Sequence, residues 1–183
     1  GQGHTISGLT IAASSGNTGL FAETGSGAVI QGIVLQDANV SLSSGSYVGV
    51  GALVGRVSGA TEIRDCGVSG SVSTSSSSAL YVGGLVGYVY EKTTVDGCYG
   101  AASVTGGSYS SGKVGGLIGY TYSAADVSNC YVTGEVTSKG AAAGALGYFS
   151  TSSSNKVTLT NCYAACDVGG SASYRYPFAY IYS

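Results

Sequence analysis

"VGGLVGY" at residues 82–88 returns as "VGGLIGY" at residues 114–120, an interval of 32. Three glycines in seven positions weaken any helix or strand that holds them. Their return at a fixed interval marks them as part of a repeat, placed where one backbone segment must approach another closely.

The cysteines carry the same interval. Cys66, Cys98, Cys130 and Cys162 are each 32 residues apart. Three positions before them stand Ile63, Val95, Val127 and Leu159, and six positions after them Val72, Val104, Val136 and Val168. Upstream, Ile30, Ile33 and Val40 hold that register without cysteine, and Ile6 and Leu9 extend it with the interval contracted to 24. The glycine motif keeps step around Leu20, Leu53, Leu85, Leu117 and Leu146. About six copies of one unit result. Each reads as two or three short strands, because the apolar runs hold β-branched and aromatic residues and too many glycines for helix. The Ser/Gly-rich segments 73–78, 106–113 and 150–156 vary in length, which places them in one set of turns.

A unit this short buries its apolar face only by stacking on its neighbours. The expected fold is all-β: a parallel β-helix, or β-solenoid, with one coil per repeat of about 32 residues. Residues 1–183 form a single repeat domain, with 171–183 as an aromatic C-terminal strand or tail. Composition agrees. Of 183 residues 32 are Gly, 44% are apolar, and 7 basic residues face 9 acidic ones. Such a balance offers no footprint for nucleic acid, and no apolar run is long enough to span a bilayer.

The Val-Gly-Gly-Leu-Val/Ile-Gly-Tyr segments, each followed by a strand of the "NCYVTGEV" type, resemble the GLUG repeat of bacterial surface proteins. The opening "GQGHTISGLTI" and "TGLFA" are similar to the first coil of such arrays. Departures are Ala22 for the last Gly, Ala52 for the second Gly, and one residue lost near Leu146. The resemblance implies an extracellular, often adhesin-like setting. Some members of the family sit beside a zinc peptidase domain in IgA-cleaving enzymes; the H-E-x-x-H motif of that domain is absent from this sequence.

Catalytic chemistry finds little to use. Glycoside hydrolysis needs two carboxyl groups close together. Asp65 and Asp96 fall in neighbouring coils at different positions, and Asn129 and Asn161 follow at the Asp65 position. This reads as a polar turn ladder whose side chains bond backbone amides at a bend. His4 is the sole histidine and has no Ser or Cys partner at a recognisable spacing. The expectation is a non-enzyme with no metal and no cofactor. Stacked parallel strands hold equivalent Cβ atoms about 4.8 Å apart, beyond the roughly 3.5–4.5 Å of a disulfide. Cys66, Cys98, Cys130 and Cys162 are therefore expected as a buried ladder, beside a second one of Leu53, Leu85, Leu117 and Leu146. Cys166, outside both, is the one candidate reactive thiol.

Two tyrosine rows carry the surface reading. Arg56, Tyr88, Tyr120 and Tyr148 follow the glycine motif, and the arginine argues that this row faces solvent. Tyr99, Tyr131 and Tyr163 follow the cysteines. Either row stabilises neighbouring coils through ring contacts or presents an aromatic strip to a partner. In the tail, Tyr174, Tyr176, Phe178, Tyr180 and Tyr182 alternate onto one face as a candidate assembly surface. The expected function is an extracellular cell-surface structural or adhesive module. It would present tyrosine rows and Ser-rich loops to glycan or to a surface protein. A head-to-tail filament of identical copies stands second, and a polysaccharide-active enzyme third.

Overall fold

The computed structural model describes residues 1–78, 80–150, 155–171 and 174–182, with the side chains of Ser150, Ile181 and Tyr182 outside that description. The chain winds as a parallel β-solenoid of about five turns, with no helix among the described residues. Each turn holds four strands rather than the two or three expected. In one turn these are Leu80–Gly83, Val86–Val89, Thr93–Asp96 and Tyr99–Thr105. In the next they are Lys113–Gly115, Ile118–Thr121, Ala125–Ser128 and Tyr131–Thr137. Stacking produces four parallel sheets, here named the first leg, second leg, side and long sheets in that order.

The extra strand comes from the glycine motif, which is not one strand but an arch. Val82 and Gly83 end the first leg, the chain turns at Gly84 and Leu85, and Val86 starts the second leg. A Cβ on Gly83 would collide with the carbonyl oxygen of Val86 and lie 2.7 Å from the nitrogen of Gly119 in the next coil. Gly51 and Gly115 meet Gly87 and Gly147 in the same way. The two legs therefore touch backbone to backbone, which no larger residue would allow.

Leu53, Leu85 and Leu117 project from successive arch tips into the core and are at most 1% exposed. Ile63, Val95 and Val127 face them from the side sheet, and Val68, Val72, Val104, Val132 and Val136 from the long sheet. Between side and long sheets the chain turns through left-handed residues: Gly32, Asp65, Gly97, Asn129 and Asn161, with φ between 51° and 64°. Gly, Asn and Asp are the residue types that adopt this conformation at least cost.

Three expectations change. Ile6 pairs with Leu35 and Ile11 with Val40, so the opening offset is 29 rather than 24. Leu146 pairs with Ile118, one row beyond the leucine ladder; Ala145 takes the place beside Leu117. Variable segments fall at two corners, not one. Residues 106–112 join the long sheet to the first leg, whereas 150–156 join the second leg to the side sheet. The corner at 138–140 is correspondingly short, which preserves the 32-residue period. Residues 151–154 of the longer loop lie outside the described residues.

The tail also departs from expectation. Tyr174–Tyr176 joins the first-leg sheet and Ala179–Tyr182 the second-leg sheet, so 174–182 is one more arch bent at Pro177. Phe178 then packs against the core instead of sharing a face with the tyrosines.

Candidate interaction surface

Outside the core, the wedge between the two legs is filled with rings. Tyr81 of the first leg lies 4.8 Å from Tyr88 and 4.6 Å from Tyr120 of the second leg, between ring centroids. Tyr88 and Tyr120 stack on each other at 5.3 Å, and Tyr148 and Tyr180 continue the line. A parallel pair, Tyr90 and Tyr122, stacks at 5.5 Å further out. Along the first leg in register stand Gly49, Tyr81, Lys113, Ala141 and Tyr174, with the small Gly49 and Ala141 on either side of Tyr81 and Lys113. Each long side chain thus has room to lean across the wedge.

The first row is consequently not a solvent-facing strip. Tyr88 is only 8% exposed, and Tyr120 and Tyr148 are half-buried. Arg56 is accommodated by the faces of Tyr88 and Tyr90, at 5.4 and 4.5 Å from their centroids, and by Glu23 at 3.9 Å. The cost of a half-buried guanidinium is offset by π faces and one carboxylate, each such ring contact being worth about 0.5–1 kcal/mol or more. Lys113 lies 4.5 Å over Tyr148, and burial lowers its pKa. Burial first, then Tyr81 and Tyr120, pushes the Tyr88 phenol up. Tyr81, Tyr90, Tyr122 and Lys113 also belong to this wedge, outside the rows expected from sequence. Tyr90 and Tyr122 recur at the 32-residue interval, and Lys113 stands at the register of Tyr81.

The second row is open. Tyr99, Tyr131 and Tyr163 form one ladder on the long sheet, with centroids 5.3 and 5.6 Å apart and rings within 11° of parallel. Tyr99 is half-buried because its ring lies over the bare Cα of Gly67, whereas Tyr131 and Tyr163 are 36% and 56% exposed. A hydroxyl row, Ser41, Ser73, Thr105 and Thr137, lies in register at the far end of the same strands, six residues beyond the tyrosines.

The thiols form a chain of weak donors. Cys66, Cys98, Cys130 and Cys162 each donate to the carbonyl two residues back, at 3.0–3.3 Å. Cys66, Cys98 and Cys130 are buried, and all five cysteines are free. Cys166 is half-buried, and its thiol is pushed up by burial and then by Asp167. A thiol held protonated is a poor nucleophile, so it does not stand apart as the reactive one.

The polar turns bond to each other from coil to coil, and Asp96 also accepts from the backbone amide of Gly97. Gln31 Nε2 donates to Asp65 at 3.1 Å, and Ser128 Oγ and Asn129 Nδ2 donate to Asp96 at 2.6 and 2.8 Å. Asn161 Nδ2 donates to Asn129 at 3.3 Å. The hydrogen bonds from Ser128 and Asn129 lower the pKa of Asp96. His4 lies on an exposed opening strand. No group of three or more His, Cys, Asp or Glu that could hold a metal ion occurs among the described residues. Of the tail residues, Tyr174 is 54% exposed and stacks on Tyr180, as does Tyr176.

The GLUG motif family matches residues 46–73 and 110–137, each span covering all four strands of one coil. A 1.30 Å crystal structure of a provisionally named immunoglobulin A1 protease from Bacteroides ovatus is similar, with a TM-score of 0.51 and 17% identity. The match covers 100% of this chain and 68% of that one, and at such identity it concerns the fold alone. No curated protein matches the chain. Two coils carry the GLUG motif and the coil between them repeats its arch, so the chain is a parallel β-solenoid consistent with a GLUG-repeat protein.

Proposed function

We propose that this solenoid is a non-catalytic, extracellular surface module whose long sheet contacts glycan. The observation that carries the reading is the exposed Tyr99–Tyr131–Tyr163 ladder, with a row of Ser and Thr hydroxyls at the far end of the same strands. Rings spaced 5.3 and 5.6 Å along the rod match the length of one sugar in an extended polysaccharide. Aromatic edges and hydroxyls together supply apolar contact and hydrogen bonds without strong charge, which suits a neutral glycan. The first tyrosine row serves the rod itself, as its packing in the wedge requires. The Ser-rich corners around 74–78 and 106–112 border the same sheet and extend the contact area.

Binding to a glycan array tests this directly. The wild-type chain should retain polysaccharide, and the double variant Tyr131→Ala, Tyr163→Ala should lose it while keeping its β-sheet circular dichroism. Equal binding by the variant would move the site elsewhere. Retention of a surface protein but no glycan would replace the ligand class, and cleavage of the polysaccharide would overturn the non-catalytic reading.

A further inference from the structure

The last arch departs at three adjacent positions from the small and apolar columns that the earlier arches hold in register. The first is the inward column Val50, Val82, Val114 and Ala142, all at most 1% exposed; in register with them stands Arg175, which is exposed. The second is the column Gly51, Gly83, Gly115 and Ala143, which continues with Tyr176. A side chain on Gly51, Gly83 or Gly115 would run into Gly87, Gly119 or Gly147 of the following coil. The third is the arch-tip column. Ala52, Gly84, Gly116 and Gly144 each donate their N–H to a carbonyl of the next coil, Gly144 to Tyr176 at 3.0 Å. Pro177 follows Tyr176 where the next such donor would fall, and proline has none.

We propose that residues 174–182 are a built-in cap that prevents another coil, in particular the first coil of a second copy of this chain, from stacking on this end. Each departure acts against a different requirement of stacking. Arg175 puts a charge on the inward face, one of the devices that protects sheet edges. Tyr176 puts a side chain in the column where Gly51, Gly83 and Gly115 leave room for the second leg of the following coil. Pro177 removes a backbone donor that the added coil would accept from, and without such a coil that donor would be left unpaired. The ring of Tyr176 instead folds onto Tyr180, at 4.6 Å and 9°. Coil-on-coil filament growth through this end is thereby blocked, whatever polypeptide is attached beyond it.

Sedimentation velocity over a wide concentration range tests the cap. The wild-type chain should hold one mass. The triple variant Arg175→Val, Tyr176→Gly, Pro177→Gly restores the residues of the earlier arches and should show a mass that rises with concentration, with rods in electron micrographs. A triple variant that stays at the wild-type mass with native circular dichroism would overturn the proposal. So would wild-type rods whose cross-links join Tyr174 or Arg175 to the opening strands of a neighbour. Should the triple variant lose its β-sheet signal, Tyr176→Gly alone carries the same two outcomes, since it restores the glycine that lets a following coil approach.

Discussion

Thr121 occupies an inward position of the second leg, in register with Val57 and Val89 on one side and Phe149 on the other. It is 1% exposed, and its Oγ1 finds no hydrogen-bond partner among the described residues. A buried hydroxyl without a partner costs on the order of 1–3 kcal/mol on protein mutational scales. Valine is the residue its column already uses and has nearly the same shape. Thr121→Val should therefore raise stability by about 1 kcal/mol, read as a higher urea midpoint at unchanged slope. A lower midpoint would mean that the hydroxyl is satisfied in solution. The same column logic explains what could be read from single residues. The spacing of the cysteines and glycines revealed which side chains stack. It did not reveal that Arg56 would be sheltered, because shelter comes from Tyr88 and Tyr90 together with Glu23, one coil back.

At the scale of strands and turns, the side sheet is held along the rod by its polar ladder. Asp96 accepts from Ser128 and Asn129 in the next coil, and these bonds favour its ionised form. Its folded pKa therefore lies below the ordinary Asp value near 3.9. A depressed carboxyl pKa stabilises the fold fully above that ordinary value and loses its effect as pH falls through the lowered one. The urea midpoint should thus hold from neutral pH down to about pH 5 and drop below about pH 4. Asp96→Asn should lower the neutral-pH midpoint and flatten the acid limb relative to wild type. An acid limb unchanged by the substitution would assign the loss to other carboxylates. The ladder was foreseen from Asp65, Asn129 and Asn161, but its bonding was not. Sequence places these residues at a left-handed bend, whereas the partners they reach depend on the register between coils. The four-strand coil was hidden for a related reason. Gly84 and Leu85 look like strand interior until their neighbours Gly83 and Gly119 are known to touch.

Across the whole rod, stability in a stacked array is close to a sum of coil-to-coil interfaces. Those interfaces are unequal here. Leu53, Leu85 and Leu117 fill the central arches, but Ala145 supplies the next arch with far less apolar surface. The residues facing inward from the final side and long strands, Val157, Leu159, Ala164 and Val168, are only half-buried. Phe178 compensates by packing against this thinner part of the core, where it lines a small internal space with Leu117, Ala145, Leu146 and Leu159. The rod should therefore open from this end first. Native-state hydrogen exchange should find the amides of 83–89 and 115–121 most protected, and those of 141–149 and 157–168 exchanging through a smaller opening. Phe178→Ala should reduce protection over 141–149 and 157–160 by less than the roughly 3–5 kcal/mol of a fully buried Phe. It should leave 83–89 unchanged, because two coils separate Phe178 from that arch. Equal loss of protection over every coil would show instead that the solenoid unfolds as one cooperative unit, and the cap arch would then stabilise the central arches as much as its own neighbours.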